Sequence, residues 1–188
     1  MVNLLTGLAT SDGTGGTDTL VGIEAVYGSA ANDSLDGNDV ANELVGWTGN
    51  DSLLGVGGND TLLGEDGDDT LAGGAGDDLM DGGNGFDIAG YANVTAGLSI
   101  DLNTGIAVGD GTDTLLGIEG IASGTGNDTL IGTAANEFFR GSGGDDVIDG
   151  GAGIDRAAYD TTGFFVVTSG VVVDLVAGTA TGAHGNDT

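Results

Sequence analysis

Large apolar side chains recur at a fixed interval through the middle of the chain. Leu35, Leu53 and Leu71 lie eighteen residues apart, and Leu44, Leu62 and Met80 form a second series with the same spacing, offset by nine. Written in nines, Gly46 to Gly90 reads GWTGNDSLL, GVGGNDTLL, GEDGDDTLA, GGAGDDLMD and GGNGFDIAG. Gly opens each nine, a second Gly stands at position 4, Asp at position 6, and an apolar residue usually at position 8. Such a period outranks every other local signal. Gly at positions 1 and 4 opens backbone angles closed to other residues, so the first six positions suit a tight turn. The last three, as in Ser52-Leu53-Leu54, are β-prone and suit one short strand with position 8 inward. Two turns and two strands close a coil of eighteen residues, and stacked coils sit about 4.8 Å apart.

The same period stacks carboxylates. Asp33, Asp51, Asp69 and Asp87 form one column, and Asn42, Asp60 and Asp78 the other. Two bare charges about 5 Å apart repel by roughly 3 kcal/mol at an effective dielectric near 20. A row of them requires a cation between coils. Hard carboxylate and carbonyl oxygens, with no His or Cys near, select Ca²⁺ over zinc or copper. Calcium is therefore expected as part of the fold.

The pattern G-G-x-G-x-D-x-U-x, with U a large apolar residue, resembles the RTX or hemolysin-type calcium-binding repeat. The resemblance implies an all-β fold: a right-handed parallel β-roll (β-helix) solenoid of calcium-binding nonapeptides, in two blocks joined by β connectors. It also implies ligand sets. Both position-6 carboxylates of turns eighteen apart bind one ion, with carbonyls of positions 2 and 4 from the first turn and 1 and 3 from the second. Carried onto this chain, Asp51 and Asp69 share an ion with the carbonyls of Trp47, Gly49, Gly64 and Asp66. Asp60 and Asp78 use Val56, Gly58, Gly73 and Ala75; Asp69 and Asp87 use Glu65, Gly67, Gly82 and Asn84. Asp33 and Asp51 use Ser29, Ala31, Gly46 and Thr48. In the second block, Asp128 and Asp146 use Gly124, Gly126, Gly141 and Gly143, and Glu137 and Asp155 use Thr133, Ala135, Gly150 and Ala152. Asn42 and Glu137 depart from the motif, and a neutral amide or a longer acid predicts weaker sites there.

A longer repeat overlies the nines. NLLTGLAT (3–10), DLNTGIAV (101–108) and DLVAGTAT (174–181) match one another, and the first two continue into Thr17-Asp18-Thr19-Leu20 and Thr112-Asp113-Thr114-Leu115. The expected organisation is a connector over 1–27, a roll over 28–90, a β connector over 91–122, a second roll over 123–158, and a connector over 159–188 that opens a third copy. Glu24 and Glu119 lie eighteen before Asn42 and Glu137, so the carboxylate columns extend into the connectors. Both rolls end with Ala at position 8 and a following Tyr, Tyr91 or Tyr159, expected to plug the coil end. Val94–Leu102 and Phe164–Leu175 read as longer strands. Beginning and ending in mid-pattern, the chain reads as an excerpt of a longer protein.

Composition narrows the function. The 188 residues include 41 Gly, no Pro and no Cys, which suits a narrow roll rather than a broad core. Without Cys, calcium takes the stapling role that disulfides have in many secreted folds. The net charge of −28 argues against nucleic acid and anionic membranes as partners. No run is long enough to span a membrane, and MVNLLTGLATSDG is not a Sec signal. The resemblance implies export by type I secretion and a secreted, extracellular or cell-surface location. A glycosidase pair is disfavoured, because identical carboxylate pairs recur all along the chain. A disordered acidic linker is disfavoured by the apolar position 8. Arg140 and Arg156 are the only basic residues, suited to local charge relief, and His184 to an exposed turn.

The expected function is a non-enzymatic, calcium-binding structural module that folds on Ca²⁺ after export. Two alternatives remain. One is a carbohydrate-engaging segment similar to the R-modules of alginate epimerases, in which an exposed Trp47 could stack on a sugar. The other is a segment of an adhesin or surface layer that associates end to end.

Overall fold

The computed structural model describes residues 1–10, 15–159, 172–174, 176–182 and 185–188. Every regular element among them is a β-strand. They fall into two compact units: Met1–Gly90 with Gly111–Ile118, and Tyr91–Asp110 with Glu119–Thr188.

The first unit is a parallel β-solenoid. On one side Ser34–Asn38, Ser52–Gly57, Thr70–Ala75 and Ile88–Gly90 pair in parallel order. On the other side Ala25–Tyr27, Glu43–Thr48, Thr61–Asp66, Leu79–Asn84 and Thr112–Leu116 do the same. Register follows the eighteen-residue period: Leu35 pairs with Leu53, Leu53 with Leu71, and Leu71 with Ala89. Val26, Leu44, Leu62, Met80 and Leu115 form the facing column. All nine side chains are buried. At about 1.5–3 kcal/mol for each fully buried Leu or Met, these two columns are the apolar driving force of the roll. At its start, Val2–Asn3 pairs in parallel with Ser34–Asn38 and antiparallel with Leu8–Thr10, which in turn pairs antiparallel with Thr17–Thr19.

The second unit repeats the plan with shorter strands. Gly120–Ala122, Phe138–Arg140 and Arg156–Ala157 stack on one side, and Ser99–Asp101, Thr129–Ile131 and Val147–Asp149 on the other. Ile121, Phe139, Ile100 and Leu130 are buried between them. Phe138 points outward, and the Arg140 guanidinium lies over its ring at 5.6 Å from the centroid. Ile106–Val108 runs antiparallel to Ser99–Asp101. Val172–Asp174, Thr179–Gly182 and Gly185–Asp187 form an antiparallel meander.

The long strand expected over 94–102 is a correction: only Ser99–Asp101 is extended. Residues 94–98 instead form a turn one coil before Gly124–Asp128. The Thr125 N–H donates to the Val94 carbonyl (3.0 Å) and the Leu98 N–H to Asp128 Oδ1 (2.8 Å). Leu98 thus stands at position 6, so the carboxylate column begins one coil later, at Asp128. Of the expected strand over Phe164–Leu175, residues 172–174 are strand and the remainder lies outside the described residues.

Candidate metal centres

Each position-6 side chain belongs to two coils. In Asp51, Asp60, Asp69, Asp78, Asp87, Asp146 and Asp155, Oδ1 accepts the N–H of the position-6 residue one coil earlier. Asp33 donates to Asp51 (2.7 Å), Asp51 to Asp69 (2.7 Å) and Asp69 to Asp87 (2.7 Å). On the other edge Asn42 donates to Asp60 (2.7 Å) and Asp60 to Asp78 (2.8 Å). In the second unit Asp128 donates to Asp146 (2.9 Å) and Glu137 to Asp155 (3.0 Å). Asp51, Asp60, Asp69, Asp78, Asp87, Asp128, Glu137 and Asp146 are all buried, whereas Asp155 is exposed.

The second carboxylate oxygen separates the sites into two kinds. Oδ2 of Asp51, Asp60 and Asp69 and Oε2 of Glu137 are buried with no hydrogen-bond donor. Oδ2 of Asp33 instead accepts the Ser29 N–H (2.6 Å) and hydroxyl (2.8 Å) from its own turn. Oδ1 of Asn42 likewise accepts the Asn38 N–H (2.8 Å). Glu137 is intermediate: Oε1 is held by the Thr133 N–H (3.2 Å) and hydroxyl, and its longer chain leaves Oε2 in the turn. The backbone at position 2 follows the same division for the Asp and Asn turns. Trp47, Val56 and Glu65 have φ of 82°, 84° and 76°, and Gly74, Gly83, Ser142 and Gly151 are also left-handed, unlike Ser29, Asn38 and Thr133. Left-handed geometry at a non-Gly residue costs about 1–2 kcal/mol. It occurs in the same turns whose Asp51, Asp60 and Asp69 lack a donor.

Carbonyl oxygens converge on the same gaps. For the Asp60/Asp78 gap, a Cβ on Gly74 or Gly76 of the later coil would fall on the Val56 or Gly58 carbonyl. From the other side, a Cβ on Gly55 would fall on the Gly73 carbonyl and on Asp60 Oδ2. The Ala75 carbonyl faces back, accepting the Gly58 N–H (2.9 Å). For Asp69/Asp87, the Glu65 and Gly67 carbonyls lie against Gly83 and Gly85, Gly82 O lies against Gly64, and Asn84 O accepts the Gly67 N–H (2.9 Å). For Asp51/Asp69, Gly49 O lies against Gly67, Gly64 O against Gly46, and Asp66 O accepts the Gly49 N–H (2.9 Å). Trp47 stands in register with Glu65. For Asp33/Asp51, Gly46 O lies against Gly28 and Ala31 O against Gly49, while Ser29 O accepts from Thr48 N–H (3.4 Å).

The second unit is alike. For Asp128/Asp146, Gly126 O lies against Gly144, Gly124 O accepts from Gly143 N–H (3.4 Å), and Gly141 O accepts the Ser123 hydroxyl (3.0 Å). For Glu137/Asp155, Ala135 O lies against Gly153, Gly150 O against Gly132, and Thr133 O accepts the Ala152 N–H (3.0 Å).

Among the described residues no three His, Cys, Asp or Glu side chains converge. The donor set of each gap is two carboxylates and a ring of carbonyls, all hard oxygens, which suits Ca²⁺. Buried anionic oxygens without donors are costly unless a cation or a proton neutralises them. Burial raises the carboxyls of Asp51, Asp60, Asp69 and Asp128 above the usual range. Asp146 is pushed up to about 7, first by burial and then by the charges of Asp187, Asp128 and Asp145.

Two features escaped the sequence reading. Position 5 forms a second ladder of opposite sense. Asn32 accepts the N–H of Asn50 (3.0 Å), Asn50 that of Asp68 (3.2 Å), Asp68 that of Phe86 (3.0 Å) and Asn59 that of Asp77 (3.2 Å). Its signal was the Asn or Asp preceding position 6 in nine after nine. The carboxylate columns also continue beyond the eighteen-residue spacing. Asp78 donates to Asp113 Oδ1 (3.1 Å), thirty-five residues on, and Asp146 to Asp187 Oδ1 (3.0 Å), forty-one on.

The profile of the RTX calcium-binding nonapeptide repeat (four copies) matches residues 22–53, 54–89 and 123–157, together more than half of the chain. Comparison with curated protein sequences finds no match.

Proposed function

Because the chain belongs to the RTX calcium-binding nonapeptide-repeat family, we propose that it is a structural module that acquires its roll only when Ca²⁺ enters the inter-coil gaps, after export to a calcium-rich exterior. The observation that carries this reading is the set of buried, donorless oxygens on Asp51, Asp60 and Asp69, each beside carbonyls aimed into the same gap. Bound calcium supplies the positive charge that these oxygens and carbonyls lack. Asp51, Asp60, Asp69, Asp78, Asp87, Asp128 and Asp146 hold the ions with the carbonyls named above. Asp33, Asn42 and Glu137, each already bonded within its own turn, form the weaker set.

The net charge of −28 and the absence of Cys suit a chain that stays open in the low-calcium cytoplasm and folds outside it. The repeats are a structural calcium-binding fold, and the module contributes scaffolding rather than catalysis. Among the described residues no helix is long and apolar enough to cross a membrane. Far-UV circular dichroism with and without Ca²⁺ tests the proposal. A β-rich spectrum in millimolar Ca²⁺ that collapses on chelation supports it, and a spectrum indifferent to chelation removes it.

A further inference from the structure

The long repeat carries a strand that seats on the end of a roll, and among the described residues one of its three copies has no roll end seated against it. In the first unit the second copy, Thr112–Leu116, pairs in parallel with Leu79–Asp81. Its Thr114 N–H donates to the Asp78 carbonyl (2.8 Å), Asp113 Oδ1 accepts the Asp78 N–H (3.1 Å), and its Thr112 N–H donates to Asp77 Oδ1 (2.8 Å). In the second unit the third copy repeats all three bonds. Thr188 N–H donates to the Asp146 carbonyl (2.9 Å), Asp187 Oδ1 accepts the Asp146 N–H (3.0 Å), and Asn186 N–H donates to Asp145 Oδ1 (2.8 Å). A fourth bond, Ile148 N–H to the Thr188 carbonyl (2.8 Å), completes the seat.

The first copy has the same residues, Thr17-Asp18-Thr19, as the second copy at 112–114. All three are exposed, and their strand ends its sheet, with no strand on its outer edge among the described residues. Its inner edge is occupied: Thr17–Thr19 pairs with Leu8–Thr10, and the Leu20 N–H donates to the Gly7 carbonyl (2.8 Å).

We propose that the outer edge of Thr17–Thr19 is a docking edge for the last coil of another Gly-Asp roll, one whose turn carries Asn or Asp at position 5 and Asp at position 6. The two seated copies define the occupant bond by bond. Thr19 N–H donates to the incoming position-6 carbonyl, Asp18 accepts that residue's N–H, and Thr17 N–H donates to the incoming position-5 side chain. A strand edge with open N–H and C=O groups is a template for such pairing. Because the edge and the roll end it accepts are different surfaces, the contact is heterologous and adds rolls head to tail. This reaches beyond the folding of one module to the joining of modules.

The full-length chain supplies its own test partner once a sealed roll end is opened. Asn186→Pro with Thr188→Pro removes two of the N–H groups that seat the third copy over Asp146. In saturating Ca²⁺ the sedimentation mass of this variant should rise with concentration to at least twice that of the parent. Adding Asp18→Ala and Thr19→Pro should return it to the parent's value. The register that places Thr114 opposite Leu79 places Thr19 opposite Val147, so Thr19→Cys and Val147→Cys should give disulfide-linked dimers on oxidation, and Val21→Cys with Val147→Cys should not. A variant with the parent's circular dichroism that keeps the parent's mass overturns the proposal, as does association that survives the change at 18 and 19. Should the proline pair disrupt the roll, the cysteine pair is placed in a chain lacking residues 185–188, which removes all four seating bonds, and failure to cross-link there is equally decisive. Circular dichroism in Ca²⁺ reports separately on calcium-dependent folding.

Discussion

The N–H of Asp51 donates to Oδ1 of Asp69 at 2.7 Å, so the oxygen that fixes the spacing of two coils shares a carboxylate with one that is buried without a donor. Asp→Asn separates the two roles, because the amide keeps an acceptor at Oδ1 and loses the charge. Asp69 borders two gaps, 51/69 and 69/87. Asp33 begins its column, borders one, and already has Oδ2 bonded to Ser29. Asp69→Asn should therefore lower the calorimetric calcium stoichiometry by two, and Asp33→Asn by one at most. Equal losses would mean that the carboxylates are not shared.

Position 2 supplies a test of strain. Val56 is β-branched yet sits at φ 84°. Replacing it with Gly removes about 1–2 kcal/mol of left-handed strain and adds roughly 0.5–1 kcal/mol of chain entropy, for a net gain of up to about 1.5 kcal/mol. Urea unfolding in saturating Ca²⁺ should show a higher midpoint at an unchanged slope. Gly74→Ala should do the reverse, since its Cβ would meet the Val56 carbonyl as well as left-handed strain. Together these cost on the order of 3 kcal/mol.

The position-5 ladder should separate packing from metal binding. Asn50→Ala deletes an acceptor for the Asp68 N–H without touching a position-6 carboxylate. A loss of about 0.5–1.5 kcal/mol in unfolding free energy is expected, with calcium stoichiometry unchanged. A change in stoichiometry would place position 5 among the metal ligands.

The coil length, the inward Leu columns and the stacked Asp columns were legible because each repeats with a side-chain type that only one environment explains. Leu53 and Leu71 are buried in one column, and Asp51 and Asp69 are buried one above the other. The division of sites by Ser29, Asn38 and Thr133 was not legible, because the sign of φ at position 2 is a backbone choice made with the rest of the turn. Val56 and Glu65 are left-handed although their side chains disfavour it. The turn over 94–98 was missed because Val94 and Leu98 read as strand residues, and only hydrogen bonds to Thr125 and Asp128 reveal the coil. Asp113 and Asp187 join the columns across inserted strands that no fixed period can follow.

Acidity should act oppositely on the metal-free and calcium-loaded chains. Asp51, Asp60, Asp69, Asp128 and Asp146 have folded-state pKa values raised mainly by burial, Asp146 to about 7. The metal-free roll therefore holds protons that the unfolded chain has released. The resulting stabilisation is fully present below the unfolded carboxyl value near 4 and is lost as pH rises through the folded values. Chain stripped of metal by dialysis should show more β-signal at pH 5 than at pH 8. Protons compete with Ca²⁺ for the same oxygens, so the calcium midpoint should rise as pH falls below 7. A metal-free chain equally unstructured at both pH values would contradict the raised carboxyls.

The two rolls should differ in their tolerance of calcium loss. Solenoid stability is approximately a sum over repeats and neighbour interfaces. The first unit buries nine apolar side chains in two unbroken columns. In the second, Ile121, Phe139, Ile100 and Leu130 are buried, but Ile148 is half-buried and Ala157 exposed at the end of their columns. The ligands proposed for it are also poorer, since Glu137 is bonded to Thr133 and Asp155 is exposed. On gradual chelation the second roll should lose structure first. Trp47, the single Trp of the chain, lies in the first unit and reports on it alone. Far-UV circular dichroism should begin to fall at a free Ca²⁺ concentration higher than that at which Trp47 fluorescence changes, leaving a window in which the first roll persists by itself. Superimposed curves would mean that the two rolls unfold as a single cooperative unit.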